Sequence, residues 1–276
     1  MRLLSEIGGR IKKEVDKGNH LFGAMAFEDE LVKTRMNYGN RAIDHYSESI
    51  FNLWNVKPDF SGAENMDRLL TEPGLVIANH PGIFDIPIAL EMVKNRAGQV
   101  RKDFKILVND STYPAFAGNL GKENFIELKP KEYKPAKQAL DSAIEHIKSG
   151  GLFLMFPSGG IEQSGNKMQF YGGLPYVLEH MEGSKMVYSF SVNPTDFVLA
   201  TKGKRKFVPS RGLAGAISSV APVPNLNRLR TTNPVRILGR YSTASDWQAD
   251  FENEQNVIGQ SDLLAQKFIN IHRNNL

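Results

Sequence analysis

The chain contains no cysteine, which excludes disulfides, thiolate zinc sites and a cysteine nucleophile. It has no apolar run approaching the roughly 20 residues that cross a bilayer, so any contact with a membrane is expected to be peripheral. The opening MRLLSEIGGRIKKEV lacks the apolar core of a secretory signal, and a cytoplasmic setting is the expectation. Charge excess is small: 34 Lys and Arg against 30 Asp and Glu leave a net +4, with a pI of about 9.1. That balance suits an anionic partner, either a phosphate-bearing ligand or a lipid surface. It does not suit nucleic acid, because the basic residues are scattered rather than gathered in a stripe with interleaved aromatics. No repeat or low-complexity tract is present. What remains, 41% hydrophobic and 23% charged residues, is the composition of a globular protein.

At 276 residues the chain is long enough for one large domain or for a large domain with a small companion. Residues 1–56 carry helical periodicity: Leu3, Ile7, Ile11 and Val15, then Phe27, Leu31 and Met36, then Ile43, Tyr46, Ile50 and Trp54, with a break near Asn37–Asn40. Lys57-Pro58-Asp59 and Ser61-Gly62 read as a linker. The expected division is an N-terminal helical domain at 1–58 and a second domain at 59–276. From residue 70 short apolar runs alternate with helical stretches. Strands are predicted at 74–79, 104–108, 124–128, 151–156, 185–192 and 234–240, and helices at 83–96, 133–149, 171–182 and 258–273. The segment 133–149 is the clearest, with Ala136, Leu140, Ile144 and Ile147 on one face and Gly150-Gly151 as its stop. This alternation predicts an α/β fold, a mixed and largely parallel sheet covered by helices on both faces.

The stretch LVIANHPGIFDIPIAL at 75–90 puts His80 and Asp85 across a strand-to-helix junction. A carboxylate that orients an imidazole makes it a better general base toward a hydroxyl, which suggests acyl transfer. Asn79 and Gly82 flank the pair, and Gly82 would let a substrate approach the backbone. The alternative is a structural histidine beside an ordinary first-turn carboxylate. A second element, LFLMFPSGGIEQSG at 152–165, ends a strand in Pro157, Ser158, Gly159 and Gly160. Its glycines either present backbone N–H groups to a phosphate or an oxyanion, or simply make a tight turn. Ser158 is not a nucleophile candidate, because its surroundings are not Gly-x-Ser-x-Gly. Lys129 and Lys131 follow a strand, where α/β sheets bind ligands, and otherwise read as a solvated loop. Lys202, Lys204, Arg205, Lys206 and Arg211 form a basic cluster, either a contact for an acidic partner or membrane, or a solvated turn. The first helix, flanked by Arg2, Arg10, Lys12 and Lys13, could lie on a membrane, although packing against residues 21–54 is the simpler use of its stripe.

In order and character these elements resemble the glycerol-3-phosphate and lysophosphatidate acyltransferases. His80 and Asp85, preceded by Asn79, match the family's His-x-x-x-x-Asp motif, and Phe156-Pro157-Ser158-Gly159-Gly160 matches its Phe-Pro-x-Gly turn. The Ser and second Gly, with helices placed before the catalytic domain, resemble the soluble plastid-type glycerol-3-phosphate acyltransferases. The resemblance spans about 70–200. It implies an O-acyltransferase with His80 as general base and Asp85 as its orienter. The co-substrate would be acyl-CoA or acyl carrier protein, with no cofactor and no metal. Substrate contacts would come from Asn79, Gly82, Lys129, Lys131 and residues 157–160. The basic cluster at 202–211 would meet the donor or a membrane. Two departures bear on the acceptor. Where plastid-type enzymes carry phosphate-binding arginines after the turn, this chain has Ile161, Glu162 and Gln163. The second family motif is reduced to Phe125-Ile126-Glu127, with Lys129 and Lys131 as the nearby cations. Glycerol-3-phosphate is the first expectation for the acceptor, and lysophosphatidate or another lyso-lipid the second. A non-catalytic lipid- or acyl-carrier-binding homologue is the rival outside the enzyme class.

Overall fold

The computed structural model describes residues 28–54, 57–63, 66–80, 85–159, 168–192 and 235–273. Seven strands, β1 (Pro58–Ala63), β2 (Gly74–Ala78), β3 (Phe104–Asn109), β4 (Phe125–Leu128), β5 (Leu152–Met155), β6 (Met186–Val192) and β7 (Val235–Thr243), form one sheet in the order β1-β7-β6-β2-β5-β3-β4. Every neighbouring pair is parallel except β6 with β7. The predicted α/β class with a mixed, largely parallel sheet is therefore what the chain adopts.

The central strands are apolar without alternation because both of their faces are covered. Along β2, Val76 and Ala78 belong to one core, while Leu75 and Ile77 belong to another on the opposite face. The first core takes side chains from α1 (residues 28–38), α2 (Ala42–Trp54), α3 (Asp85–Met92) and α4 (Tyr113–Leu120). Leu31, Tyr46 and Ile50 thus share a core with the sheet. The second takes them from α5 (Tyr133–Lys148), α6 (Gly173–His180), α7 (Ala244–Gln248) and α8 (Val257–His272). The expected stop of α5 is real. Gly150 stands at φ +97°, and the N–H groups of Gly150 and Gly151 donate to Ile147 O and His146 O, the pattern of a Schellman cap.

Several expectations need correction. The segment read as a linker at 57–62 is the edge strand β1, where a starting Pro is tolerated. Its Gly62 lies so close to β7 that a Cβ there would come within 2.9 Å of Ile237 O. The helix expected at 83–96 ends at Met92, because the Asn95 side chain accepts the N–H groups of Ala97 and Gln99 and turns the chain. Helix α4 is absent from the expected elements; its Pro114 sits in the first turn, where it is compatible with a helix. Helix α7 is only five residues long, too short for periodicity to reveal. Among the described residues no helix is long and apolar enough to cross a membrane.

Candidate active site

The parallel strands β2, β5 and β6 end side by side, and the candidate site is built on those ends. Strand β2 is buried throughout and stops at Ala78. Asn79 follows, 1% exposed, with its amide engaged by the backbone of Val192 at the end of β6. The amide nitrogen donates to Val192 O at 2.9 Å, and Val192 N–H donates to the amide oxygen at 2.8 Å. Asn79 therefore holds the end of β2 against the end of β6.

His80 comes next, at the mouth of the sheet. Its Nδ1 lies 2.5 Å from Oδ2 of Asp85, the first residue of α3. The His80 side chain is 21% exposed and that of Asp85 is 1% exposed. A carboxylate at the first turn of a helix faces the positive end of the helix dipole, which favours its ionised form. An ionised carboxylate can only accept, so the Nδ1 position carries the shared proton. The sequence spacing of the pair thus becomes direct contact.

The imidazole is also held from one side. Phe156, immediately after β5, stacks on it with ring centroids 4.6 Å apart and planes 23° apart. The reason lies in the pairing of the strands. Ile77 is registered with Met155, so both Phe156 and His80 fall on the face of the first core, and Phe156 packs against that core. Phe156 was quoted only as part of the turn motif. The signal that could have found it is strand parity, once β2 and β5 are known to be neighbours.

The turn that follows is closed on itself. Gly159 N–H donates to Phe156 O at 2.9 Å, and Tyr171 N–H donates to Pro157 O at 2.9 Å. Pro157 is buried and Ser158 half-buried. Gly159 has φ +64° and lies against the Tyr171 ring, 3.1 Å from where a Cβ would be, so glycine is required on both counts. With its N–H used inside the turn, Gly159 is not an oxyanion donor in this arrangement. The tight-turn reading of Gly159 is the one the geometry supports.

Lys129 and Lys131 follow β4, at the same end of the sheet but on its edge. Three strand spacings separate β4 from β2, about 14 Å. They are not brought beside His80 by the sheet itself. Gly82, Gly160, Lys202, Lys204, Arg205, Lys206 and Arg211 lie outside the described residues, as does the first helix of the sequence reading. Among the described residues no group of three or more His, Asp or Glu side chains is placed to hold a metal ion.

A sequence profile described as Acyltransferase matches residues 57–194, half of the 276-residue chain, a span that contains His80, Asp85, Phe156 and the Asn79–Val192 clamp. Among solved structures the chain is similar to the 1-acyl-sn-glycerophosphate (LPA) acyltransferase PlsC from Thermotoga maritima. The identity is 16% and the TM-score 0.47, over 95% of this chain and 97% of that one. No curated protein matches significantly.

Proposed function

Because the chain belongs to the acyltransferase family, we propose that it moves a fatty acyl group from a thioester, acyl-CoA or acyl carrier protein, to the hydroxyl of glycerol-3-phosphate. His80 Nε2 takes the hydroxyl proton as the oxygen attacks the thioester carbonyl carbon. Asp85 holds the ring and balances the charge of the imidazolium. The tetrahedral intermediate collapses, the C–S bond breaks, and the departing thiolate takes the proton from Nε2. An ester and a free thiol result, and the base is regenerated. The observation that carries the reading is the contact of His80 Nδ1 with a carboxylate that is 1% exposed, at 2.5 Å. A buried ionised carboxylate is costly unless a partner uses it, which argues against a homologue that only binds.

A second acceptor has its own support. The missing arginines at 161–163 and the edge position of Lys129 and Lys131 both favour a lyso-lipid such as lysophosphatidate, whose acyl chain adds apolar contacts. Thiol release from acyl-CoA, measured with each acceptor for the wild type and His80→Ala, separates the readings. Glycerol-3-phosphate-dependent release, lost in His80→Ala, is the expected result. Release only with lysophosphatidate would move the assignment to the second acceptor. Release that survives His80→Ala would overturn the role of His80.

A further inference from the structure

We propose that Tyr171 is a platform on which the adenine ring of acyl-coenzyme A stacks, and that this ring selects the coenzyme A thioester over acyl carrier protein as donor. The donor role rests on the acyl-transfer reading, the stacking surface on the geometry. Tyr171 stands just before α6 and is 65% exposed, yet it is firmly held. Its N–H donates to Pro157 O at 2.9 Å, and its carbonyl accepts the N–H of Leu174 at 3.3 Å as the helix opens. Two adjacent ring carbons, Cδ2 and Cε2, lie 3.1 and 3.3 Å from where a Cβ on Gly159 would be. The contact thus uses one edge of the ring and leaves much of it open. The same turn leads to the base, because Gly159 N–H donates to the carbonyl of Phe156, whose ring stacks on His80. Tyr171 is therefore a rigid aromatic at the rim of the site.

A single exposed aromatic needs no explanation, but one fixed against the turn beside the base does. A ring this open cannot keep an acyl chain out of water, and glycerol-3-phosphate offers neither a π face nor apolar area. The pantetheine arm sets the nucleotide of coenzyme A well away from the thioester, so with the thioester at His80 the base belongs at the rim. A base stacks through its face, needs no charge, and tolerates water on its other side. Charge separates the two donors. A Cβ on Gly172 would come within 2.6 Å of Val257 Cγ1, so the start of α8 adjoins the ring. Glu254 lies there, accepting the N–H of Asn256 at 2.8 Å, and Glu179 accepts the amide of Gln260 at 2.9 Å. An acidic carrier protein would meet like charge on that flank. Coenzyme A would present an uncharged base to it, with its phosphates turned toward the opposite flank. There Lys129 and Lys131, against the one acid Glu132, follow β4, two strand spacings from β5 or about 10 Å.

Initial rates with acyl-CoA and with the matching acyl-pantetheine, which carries the same thioester without the nucleotide, give a donor preference as a ratio of kcat/KM values. Tyr171→Ala should lower that preference roughly 5-fold or more, the scale of one base–aromatic stack. It should weaken the binding of coenzyme A itself, followed by isothermal titration, by a similar factor. Tyr171→Phe should keep both, because the stack needs the ring and not the hydroxyl. Any loosening of the turn in Tyr171→Ala acts on both donors and cancels in the ratio. An equal fall with the two donors, or none, would overturn the platform. So would a wild type that does not bind coenzyme A, or one that uses acyl carrier protein in preference to acyl-CoA. The titration needs no turnover. Binding of coenzyme A that depends on Tyr171, without acyl transfer to any acceptor, would sink the acyl-transfer reading and leave the stacking surface standing.

Discussion

Asn79 and Val192, 113 residues apart in the chain, are joined by two hydrogen bonds, at 2.9 and 2.8 Å, that fix the end of β2 against the end of β6. His80 is the next residue, so its position inherits this clamp. Removing a buried partner leaves the opposing N–H and C=O unsatisfied, which costs about 1–3 kcal/mol per group. Asn79→Ala is expected to lower the unfolding free energy in urea by about 2–4 kcal/mol and to reduce kcat as His80 loses its seat. A loss below about 0.5 kcal/mol would show that the clamp does not matter.

Asp85→Asn keeps the size of the side chain at the start of α3 but offers an N–H as well as a carbonyl. The tautomer of His80 is then no longer dictated, and the imidazolium loses its counter-charge. The expected result is a fall in kcat of ~10²–10⁴-fold, with the urea midpoint within a few tenths of a molar unit of the wild type. A variant with near wild-type kcat would mean that Asp85 is structural only.

Phe156→Leu tests the ring that lies on His80 at 4.6 Å. Leucine still fills the first core but removes the flat surface, and an aromatic pair contributes about 0.5–1.5 kcal/mol beyond burial. That converts to a roughly 2- to 10-fold lower kcat, with KM for the acceptor little changed and the pH profile of kcat displaced. A change in KM alone would assign Phe156 to substrate binding instead of to positioning the base.

Legibility in the sequence followed the kind of signal each feature leaves. The buried strands β2 and β5 were visible because both faces are covered and the runs are uniformly apolar. Helix α5 was visible in outline, but its buried face is Ala139, Ala143, Ile144 and Ile147, rotated from the stripe expected through Ala136 and Leu140. Strand β1 was missed because an edge strand with Pro58 and Gly62 has the composition of a linker, and only its pairing with β7 makes it a strand. Within the site, the spacing of His80 and Asp85 is local and could be read along the chain. The roles of Asn79 and Phe156 depend on which strands lie next to β2, a long-range property that a single sequence does not encode at those positions.

The last prediction concerns a histidine outside the site. His272, at the end of α8, is fully buried, its Nε2 is 3.0 Å from Ser189 Oγ on β6, and its ring lies 4.4 Å from that of Phe268. Burial, followed by the positive charge of Arg240, pushes its pKa down to about 3 from the ordinary 6.5. The folded protein therefore keeps the ring neutral, while the unfolded chain takes up a proton below pH 6.5. The unfolded state binds more protons in that window, so stability is full above it and falls as pH drops toward the folded value. Each pH unit inside the window removes about 1.4 kcal/mol, so this group alone should cost about 2 kcal/mol between pH 7 and pH 5. His272→Gln can still meet Ser189 Oγ but cannot titrate. Urea unfolding of the two proteins should therefore show an acid-side loss about 2 kcal/mol smaller in the variant. Parallel pH profiles for the two proteins would mean that His272 is solvated or charged in the folded state.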